Sequence, residues 1–316
     1  MIIGNFFKQV KPGHKKHKFS GICFYSSKCK KGDIFFAIKG TTIDGNKFID
    51  HAIQKGARTI ISTQKFEGFK KGVLYIKSSN VRKSLSRVSY AIYKDKPTNI
   101  IAVTGTNGKS SIADFYFQIL KLNKKKVASI GTLGVKKINY VKSVSNTTLD
   151  PIKLSKALSL LKKKNINNVI LEASSHGLKQ NRLDGLKFKT AIFTNISHDH
   201  LDYHKTFNDY LESKLYLFKN LLEKSGNIIT DGNIQQYKKI KGIALKGGFN
   251  IESISNNNGN LEIVSHEYQN EKQIVKIRYN KNIYKFETKL IGKIQIKNIL
   301  MAMIAATKSG LSFKKI

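Results

Sequence analysis

Residues 100–111 read IIAVTGTNGKSS. An apolar run enters a glycine turn, which closes on Lys-Ser and opens onto a helical pattern. No other stretch constrains the fold as much. The order calls for a buried strand, a tight loop and a helix whose free N–H groups face an anion, helped by the helix dipole. In such a loop Lys109 reaches the outer phosphates and Ser110 ligates Mg²⁺. The general pattern G-x-x-x-x-G-K-[ST] places a glycine five residues before Gly108. That position is Val103 here, so the loop is the variant T-G-T-N-G-K-S.

From Asn99 onward the periodicity alternates strand and helix. Strands are expected at Ile100–Val103, Val127–Ile130, Asn168–Glu172, Thr190–Asn195 and Asn227–Thr230. Helices are expected near Ser110–Leu122, Ile152–Lys163 and Phe207–Glu223. This predicts an α/β fold with a mostly parallel sheet and ligands at the carboxyl ends of the strands. Residues 251–290 alternate apolar and polar residues and predict antiparallel strands around a turn at Asn256–Asn260. Gln295–Ser309 reads as a last helix. Residues 1–97 read as a smaller α/β module. It has strands at Ile34–Ile38, Ala57–Ser62 and Gly72–Ile76 and helices at Phe48–Gly56 and Val81–Tyr93. The Pro97 stretch bounds it, leaving 98–316 as the second domain.

The chain has 316 residues and a net charge of +37. That charge raises the question of nucleic acid. However, 52 of the 57 basic residues are Lys and only five are Arg, and base readout and bidentate phosphate contacts favour Arg. The reading is no specific nucleic-acid partner, but a surface field that attracts anionic nucleotides. Cys23 and Cys29 have no Cys or His partners at metal spacing and read as reduced thiols of a cytoplasmic protein. No apolar run approaches a membrane span, and no signal peptide is seen.

Three further stretches carry chemistry. Glu172 ends a strand, followed by ASSHG, and is placed either to hold Mg²⁺ or to sit solvated. The run TNISHDHLDYH (194–204) is dense in His and Asp, and reads as a metal site or a polar loop; its spacing is not a zinc pattern. The stretch NTTLDP (146–151) reads as a helix N-cap or a substrate loop. Lys214 has no distinguishing feature by spacing.

Together, T-G-T-N-G-K-S, N-T-T, E-A-S-S-H-G-L-K-Q-N-R, T-N-I-S-H-D-H-L-D-Y-H and a Lys ten residues later closely resemble the Mur ligases. Within that family they resemble the UDP-N-acetylmuramoyl-tripeptide synthetase branch. The resemblance implies ATP-driven addition of an amino acid, meso-diaminopimelate or L-lysine, to UDP-N-acetylmuramoyl-L-alanyl-D-glutamate through an acyl phosphate, by a cytoplasmic monomer. It implies that Gly105, Thr106, Asn107, Gly108, Lys109, Ser110 and Ser111 bind ATP, with Asn298 on the adenine side. Asn146, Thr147, Thr148, Ser174, Gln180 and Arg182 would hold the UDP-muramoyl-dipeptide. Phe24, Ser26, Thr41, Thr42 and Ile43 would contact its uridine end, although the Asp and Arg that flank the family's Ser are here Tyr25 and Ser27. Ser110, Glu172, His200 and Lys214, the last as a carbamate, would serve Mg²⁺; Lys109, Lys214 and His200 would be catalytic. Gln295 stands where the Asn298 motif usually has Asn. The family's C-terminal domain is expected to be absent, which predicts weak binding and little turnover. A folylpolyglutamate synthase-like ligase and a non-catalytic nucleotide-binding remnant are the alternatives.

Overall fold

The computed structural model describes residues 1–137, 140–143, 146–256 and 259–316. Asn257 and Asn258, in the middle of the expected turn, lie outside them. The chain forms two compact units, residues 1–94 with 180–185, and residues 95–179 with 186–316.

In the first unit, β1 (Ile22–Cys23), β2 (Ile34–Phe36), β3 (Thr59–Ser62), β4 (Gly68–Lys70) and β5 (Val73–Lys77) form a sheet in the order β1-β2-β3-β5-β4. All its pairs are parallel except β4–β5. The helices are α1 (Ile49–Gln54) and α2 (Val81–Ile92). Asn80 caps α2 by accepting from Lys83 N, and α2 buries Val81, Leu85 and Val88 at helical spacing. One expectation is corrected here. Cys23 and Cys29 are not free thiols but form a disulfide. The turn between them brings their Cα atoms to 5.7 Å, within the reach of a bridge.

The second unit is built on β6 (Asn99–Thr104), α3 (Lys109–Leu122), β7 (Val127–Gly131), β8 (Gly134–Lys137), β9 (Tyr140–Lys142), α4 (Pro151–Lys163), β10 (Asn168–Glu172), α5 (Ser175–Lys179), β11 (Phe188–Phe193), α6 (Leu201–His204), α7 (Phe207–Tyr216), β12 (Leu222–Asp231), α8 (Tyr237–Gly247), β13 (Asn250–Ser255), β14 (Leu261–Gln269), β15 (Lys272–Tyr279), β16 (Asn282–Thr288) and α9 (Lys293–Thr307). The sheet order is β16-β15-β14-β13-β12-β11-β6-β10-β7-β8-β9. β6 therefore lies between β11 and β10, parallel to both. Ile101 and Val103 of β6 pack into one core with Ile112, Tyr116 and Leu120 of α3 and Ile296, Leu300 and Ile304 of α9. Burying each large side chain fully contributes about 2 kcal/mol, so this core fixes where the loop between β6 and α3 can lie.

The expected helix at Phe207–Glu223 ends its α-helical part at Tyr216. A wider π-type turn covers Leu217–Leu221 and β12 begins at Leu222. β14–β16 are antiparallel as their alternation predicts, while β13 joins the parallel part of the sheet beside β12. The β8–β9 extension and α8 were not expected. Asp150 caps α4, with Pro151 at its first position. No helix among the described residues is long and apolar enough to cross a membrane.

Candidate active site around the phosphate loop

The β6–α3 loop takes the conformation its glycines allow. Gly105 has φ +147°, and a Cβ there would meet Thr194 Oγ1 at 1.8 Å. Gly108 has φ +86°, and a Cβ there would meet Asn298 Oδ1 at 2.6 Å. Both positions need glycine for the backbone angle and for the close approach. No side chain caps α3, so its first N–H groups are free to face an anion.

The stretch after β11 holds the loop from one side. Thr194 Oγ1 donates to the Asn107 carbonyl at 2.6 Å, and Asn195 Oδ1 accepts from Asn107 N at 3.1 Å. Thr106 N donates to the Asn195 carbonyl at 2.9 Å. Thr106 Oγ1 lies 3.0 Å from the Tyr210 hydroxyl. On α9, Asn298 is buried; its Nδ2 donates to Gln295 Oε1 at 3.2 Å. Lys109 folds over the loop, donating to the Gly105 and Thr106 carbonyls at 2.9 and 2.7 Å. Burial pushes the pKa of Lys109 down, and the Glu172 and Asp199 charges oppose that shift.

At the end of β10, Glu172 is 2% exposed. Its carboxylate accepts from Ser110 Oγ at 2.9 Å, from Thr132 N at 2.9 Å and from Thr132 Oγ1 at 3.1 Å. Gly131 makes room for it, since a Cβ there would lie 2.0 Å from Glu172 Oε1. Thr147 Oγ1 is 3.0 Å from Thr132 Oγ1. Thr148 Oγ1 donates to the Glu172 carbonyl at 2.9 Å and lies 3.0 Å from Ser174 Oγ. These hydroxyls thus line up beside the carboxylate, while Asn146 is exposed.

Lys214 of α7 is 1% exposed. Its Nζ donates to the Gly105 carbonyl at 2.8 Å and sits 4.2 Å from the centre of the Tyr210 ring. Burial first, then the neighbouring Lys109 charge, lower its pKa to about 6, with Asp199 opposing. His200 differs: it has a left-handed backbone, about half its side chain is exposed, and its Nε2 is 3.4 Å from Asp199 Oδ2. Among the described residues no group of three or more His, Cys, Asp or Glu could hold a metal ion. Of the expected metal residues, Ser110 and Glu172 are in contact. Their hard oxygens at the phosphate end of the loop fit Mg²⁺, which takes few protein ligands and completes its shell with water and phosphate.

In the first unit Ser26 Oγ lies 3.0 Å from His51 Nδ1, and Phe24 packs against Tyr25 at 4.4 Å between ring centres. Thr41, Thr42 and Ile43 are exposed in a loop closed by Gly40 N donating to the Ile43 carbonyl. Gln180 and Arg182 belong to this unit, and Arg182 donates to Gln180 Oε1 from Nε (3.1 Å) and Nη2 (2.8 Å).

Residues 103–306 match the family model for the Mur ligase middle domain, and residues 18–99 match that for the Mur ligase family catalytic domain. The chain belongs to the Mur ligase family. It is 38% identical over 304 residues to the UDP-N-acetylmuramoyl-L-alanyl-D-glutamate--2,6-diaminopimelate ligase of Rickettsia montanensis, covering 95% of this chain and 63% of that protein. It is 33% identical over 306 residues to the ligase of the same name from Rhizobium meliloti, covering 97% of this chain and 63% of that protein. A solved structure of a ligase of this name superposes with TM-score 0.86 at 27% identity, over 100% of this chain and 65% of that one. A folylpolyglutamate synthase, 12% identical with TM-score 0.59, shares the fold alone. The chain thus spans under two thirds of these Mur relatives.

Thr132 and Tyr210 belong to none of the stretches singled out in the sequence, and Thr194 and Asn195 only to the head of the run 194–204. Thr132 and Thr194 directly follow sheet strands at their carboxyl ends, which is a positional signal. Tyr210 has no signal of its own.

Proposed function

We propose that this chain supplies the UDP-substrate-binding and ATP-binding parts of a ligase joining 2,6-diaminopimelate to UDP-N-acetylmuramoyl-L-alanyl-D-glutamate. The relatives' names supply that amino acid, in place of L-lysine. One observation carries the reading. At the mouth of the phosphate loop Glu172 holds Ser110 at 2.9 Å, and the same loop's Gly105 carbonyl accepts from a lysine whose pKa of about 6 leaves it unprotonated at neutral pH.

The substrate's terminal carboxylate attacks the γ-phosphorus of ATP. An O–P bond forms, the bond to the bridging oxygen breaks, and ADP leaves. The diaminopimelate amine then attacks the acyl carbon, a C–N bond forms, phosphate leaves and the amine loses a proton. Lys109, curled over the loop, faces the phosphoryl oxygens where charge builds. Ser110 and Glu172 would hold Mg²⁺, which neutralises phosphate charge when bound. Unprotonated Lys214 can add CO₂: an N–C bond forms and a proton is lost, giving an anionic carbamate at this site. Asn298 serves the nucleotide, Thr147, Thr148 and Ser174 the peptide end of the substrate, and the Ser26 and Thr41–Ile43 loops its uridine end. We assign the reaction to a cytoplasmic monomer serving wall synthesis, and with it cell shape and division.

Calorimetry of this chain with a non-hydrolysable ATP analogue and Mg²⁺ tests the reading. Lys109→Ala should weaken binding roughly tenfold or more, as when a charged hydrogen bond is lost. A parent chain that binds neither the analogue nor UDP-N-acetylmuramoyl-L-alanyl-D-glutamate would sink it.

A further inference from the structure

One residue holds the Glu172 carboxylate at both oxygens. Thr132 N donates to Oε1 at 2.9 Å and Thr132 Oγ1 donates to Oε2 at 3.1 Å. The torsion that turns a carboxylate about its last bond is soft and roughly two-fold. A grip on both oxygens fixes that turn, and with it the direction from which Oε2 meets Ser110 Oγ at 2.9 Å. The strand end places the grip. β7 stops at Gly131, where the carboxylate fills the space a Cβ would take, and Thr132 is the next residue.

The same hydroxyl also reaches the other way. Thr132 Oγ1 lies 3.0 Å from Thr147 Oγ1, in the stretch 146–151. A threonine hydroxyl has one proton, and a carboxylate only accepts. Thr132 therefore gives its proton to Glu172 and accepts from Thr147. The result is one directed row, Thr147 to Thr132 to Glu172, with Ser110 donating from its own side. Thr148, next in the chain, donates to the Glu172 main-chain carbonyl at 2.9 Å, so it fixes the backbone and not the carboxylate. Among the described residues Thr132 is the one side chain hydrogen-bonded to both the Glu172 carboxylate and Thr147. It is exposed in a turn, so core packing does not require a hydroxyl there.

We propose that Thr132 is a positioning residue that couples the nucleotide end of the site to the substrate end. Nucleotide and Mg²⁺ at Ser110 and Glu172 hold the carboxylate in one orientation, which orders Thr132 and through it Thr147. The UDP-linked peptide then meets an ordered Thr147, whose proton is turned to Thr132 and whose free lone pair faces the substrate as an acceptor. Ordering already done by one ligand is not required again of the other, and the coupling is reciprocal. The proposal rests on the reading above, in which Ser110 and Glu172 serve Mg²⁺ and Thr147 contacts the peptide end of the substrate.

Calorimetry with UDP-N-acetylmuramoyl-L-alanyl-D-glutamate, with and without a saturating non-hydrolysable ATP analogue and Mg²⁺, gives the coupling as a ratio of two affinities. The parent should show a ratio of about five or more, the lower end of ordinary coupling between sites, and titrating the analogue with and without substrate should give the same ratio. Thr132→Val nearly keeps the shape and keeps the N–H on Oε1, but removes the hydroxyl. Its ratio should fall to within about twofold of one. Thr132→Ser restores the hydroxyl and should keep the parent's ratio. A residue that only supported the fold would weaken each ligand alone and leave the ratio in place. Thr132→Val with the parent's ratio therefore overturns the proposal, and so does a parent ratio of one. A ratio that falls in Thr132→Ser as it does in Thr132→Val assigns the effect to something other than the hydroxyl and overturns it too. Should Thr132→Val not fold, Thr132→Ala lacks the same hydroxyl and is read in the same way. A parent that binds one ligand only has no such link, which removes this proposal alone. A parent that binds neither removes the underlying reading, and this proposal with it.

Discussion

The two strands that flank β6 lead into residues that could both serve a metal ion, and the fold treats them differently. After β10, Glu172 is 2% exposed and accepts from Ser110 and twice from Thr132. After β11, His200 lies seven residues beyond the strand, half-exposed, facing Asp199 and packed edge-on against His176 at 4.8 Å. Glu172 is placed by the strand itself and by Gly131 next door, whose missing Cβ leaves room for the carboxylate. His200 is placed by a loop and by a left-handed backbone. A ligand position built on a strand end holds its geometry; one built on a solvated loop takes its geometry from whatever it meets. From the β11 side the loop is instead reached by Thr194, Asn195 and, further along, by buried Lys214.

The largest expected effect is therefore at Glu172. Glu172→Ala leaves Ser110 and Thr132 without their acceptor and takes away one of the two charges that support protonated Lys109. Mg²⁺-dependent binding of an ATP analogue should fall about a hundredfold, a loss typical of broken metal-ligand networks. Calorimetry with and without Mg²⁺ measures this. An equal loss in the absence of Mg²⁺ would mean that Glu172 acts on the loop and not through the metal, and would break the comparison.

Lys214 comes next, and its signature is pH dependence. Its pKa is about 6 in the folded chain and about 10.4 when unfolded. Between those values the unfolded chain binds the extra proton. Stability therefore rises with pH from about 6 towards 10 on account of this group, and is unaffected by it below both values. Lys214→Met should abolish that rise, at the cost of one of the two lysine donors to the Gly105 carbonyl, Lys109 remaining. Urea unfolding of parent and variant at several pH values from 6 to 9 checks this. An identical slope in both proteins would mean that Lys214 is protonated in the folded chain, and carbamate formation there would lose its basis.

What could be read from the sequence follows the same division. The loop from Gly105 to Ser111 was legible because everything that makes it is local: an apolar run, two glycines and a helix start. Glu172 was legible as the last residue of an apolar strand. Lys214 was not, since 52 lysines share the chain and only the tertiary fold sets it apart by burying it. Asn298 was legible through resemblance alone, because its place against Gly108 is made by packing α9 on α3. The disulfide escaped because six residues of separation do not reveal whether a turn will bring two Cα atoms within bridging distance. Thr132 escaped for a similar reason. Only its place after a strand points to a site, and its partners lie 15 and 40 residues away.

The smallest effect is expected at His200, and it decides whether the contrast between the two strand ends is real. The imidazole is exposed, and its Nε2 lies 3.4 Å from Asp199 Oδ2 of the adjacent residue, in solvent. Such a pair contributes under about 1 kcal/mol, so His200→Ala should change Mg²⁺-dependent nucleotide binding by roughly threefold or less. Measured beside Glu172→Ala under identical conditions, the variant gives a ratio of losses, which does not depend on how tightly the parent binds. A ratio far from one keeps the metal site at Ser110 of α3 and Glu172 of β10. A ratio near one would mean that the loop after β11 folds in when Mg²⁺ and nucleotide are bound, bringing His200 to the ion and making the exposed arrangement the resting state of a mobile ligand.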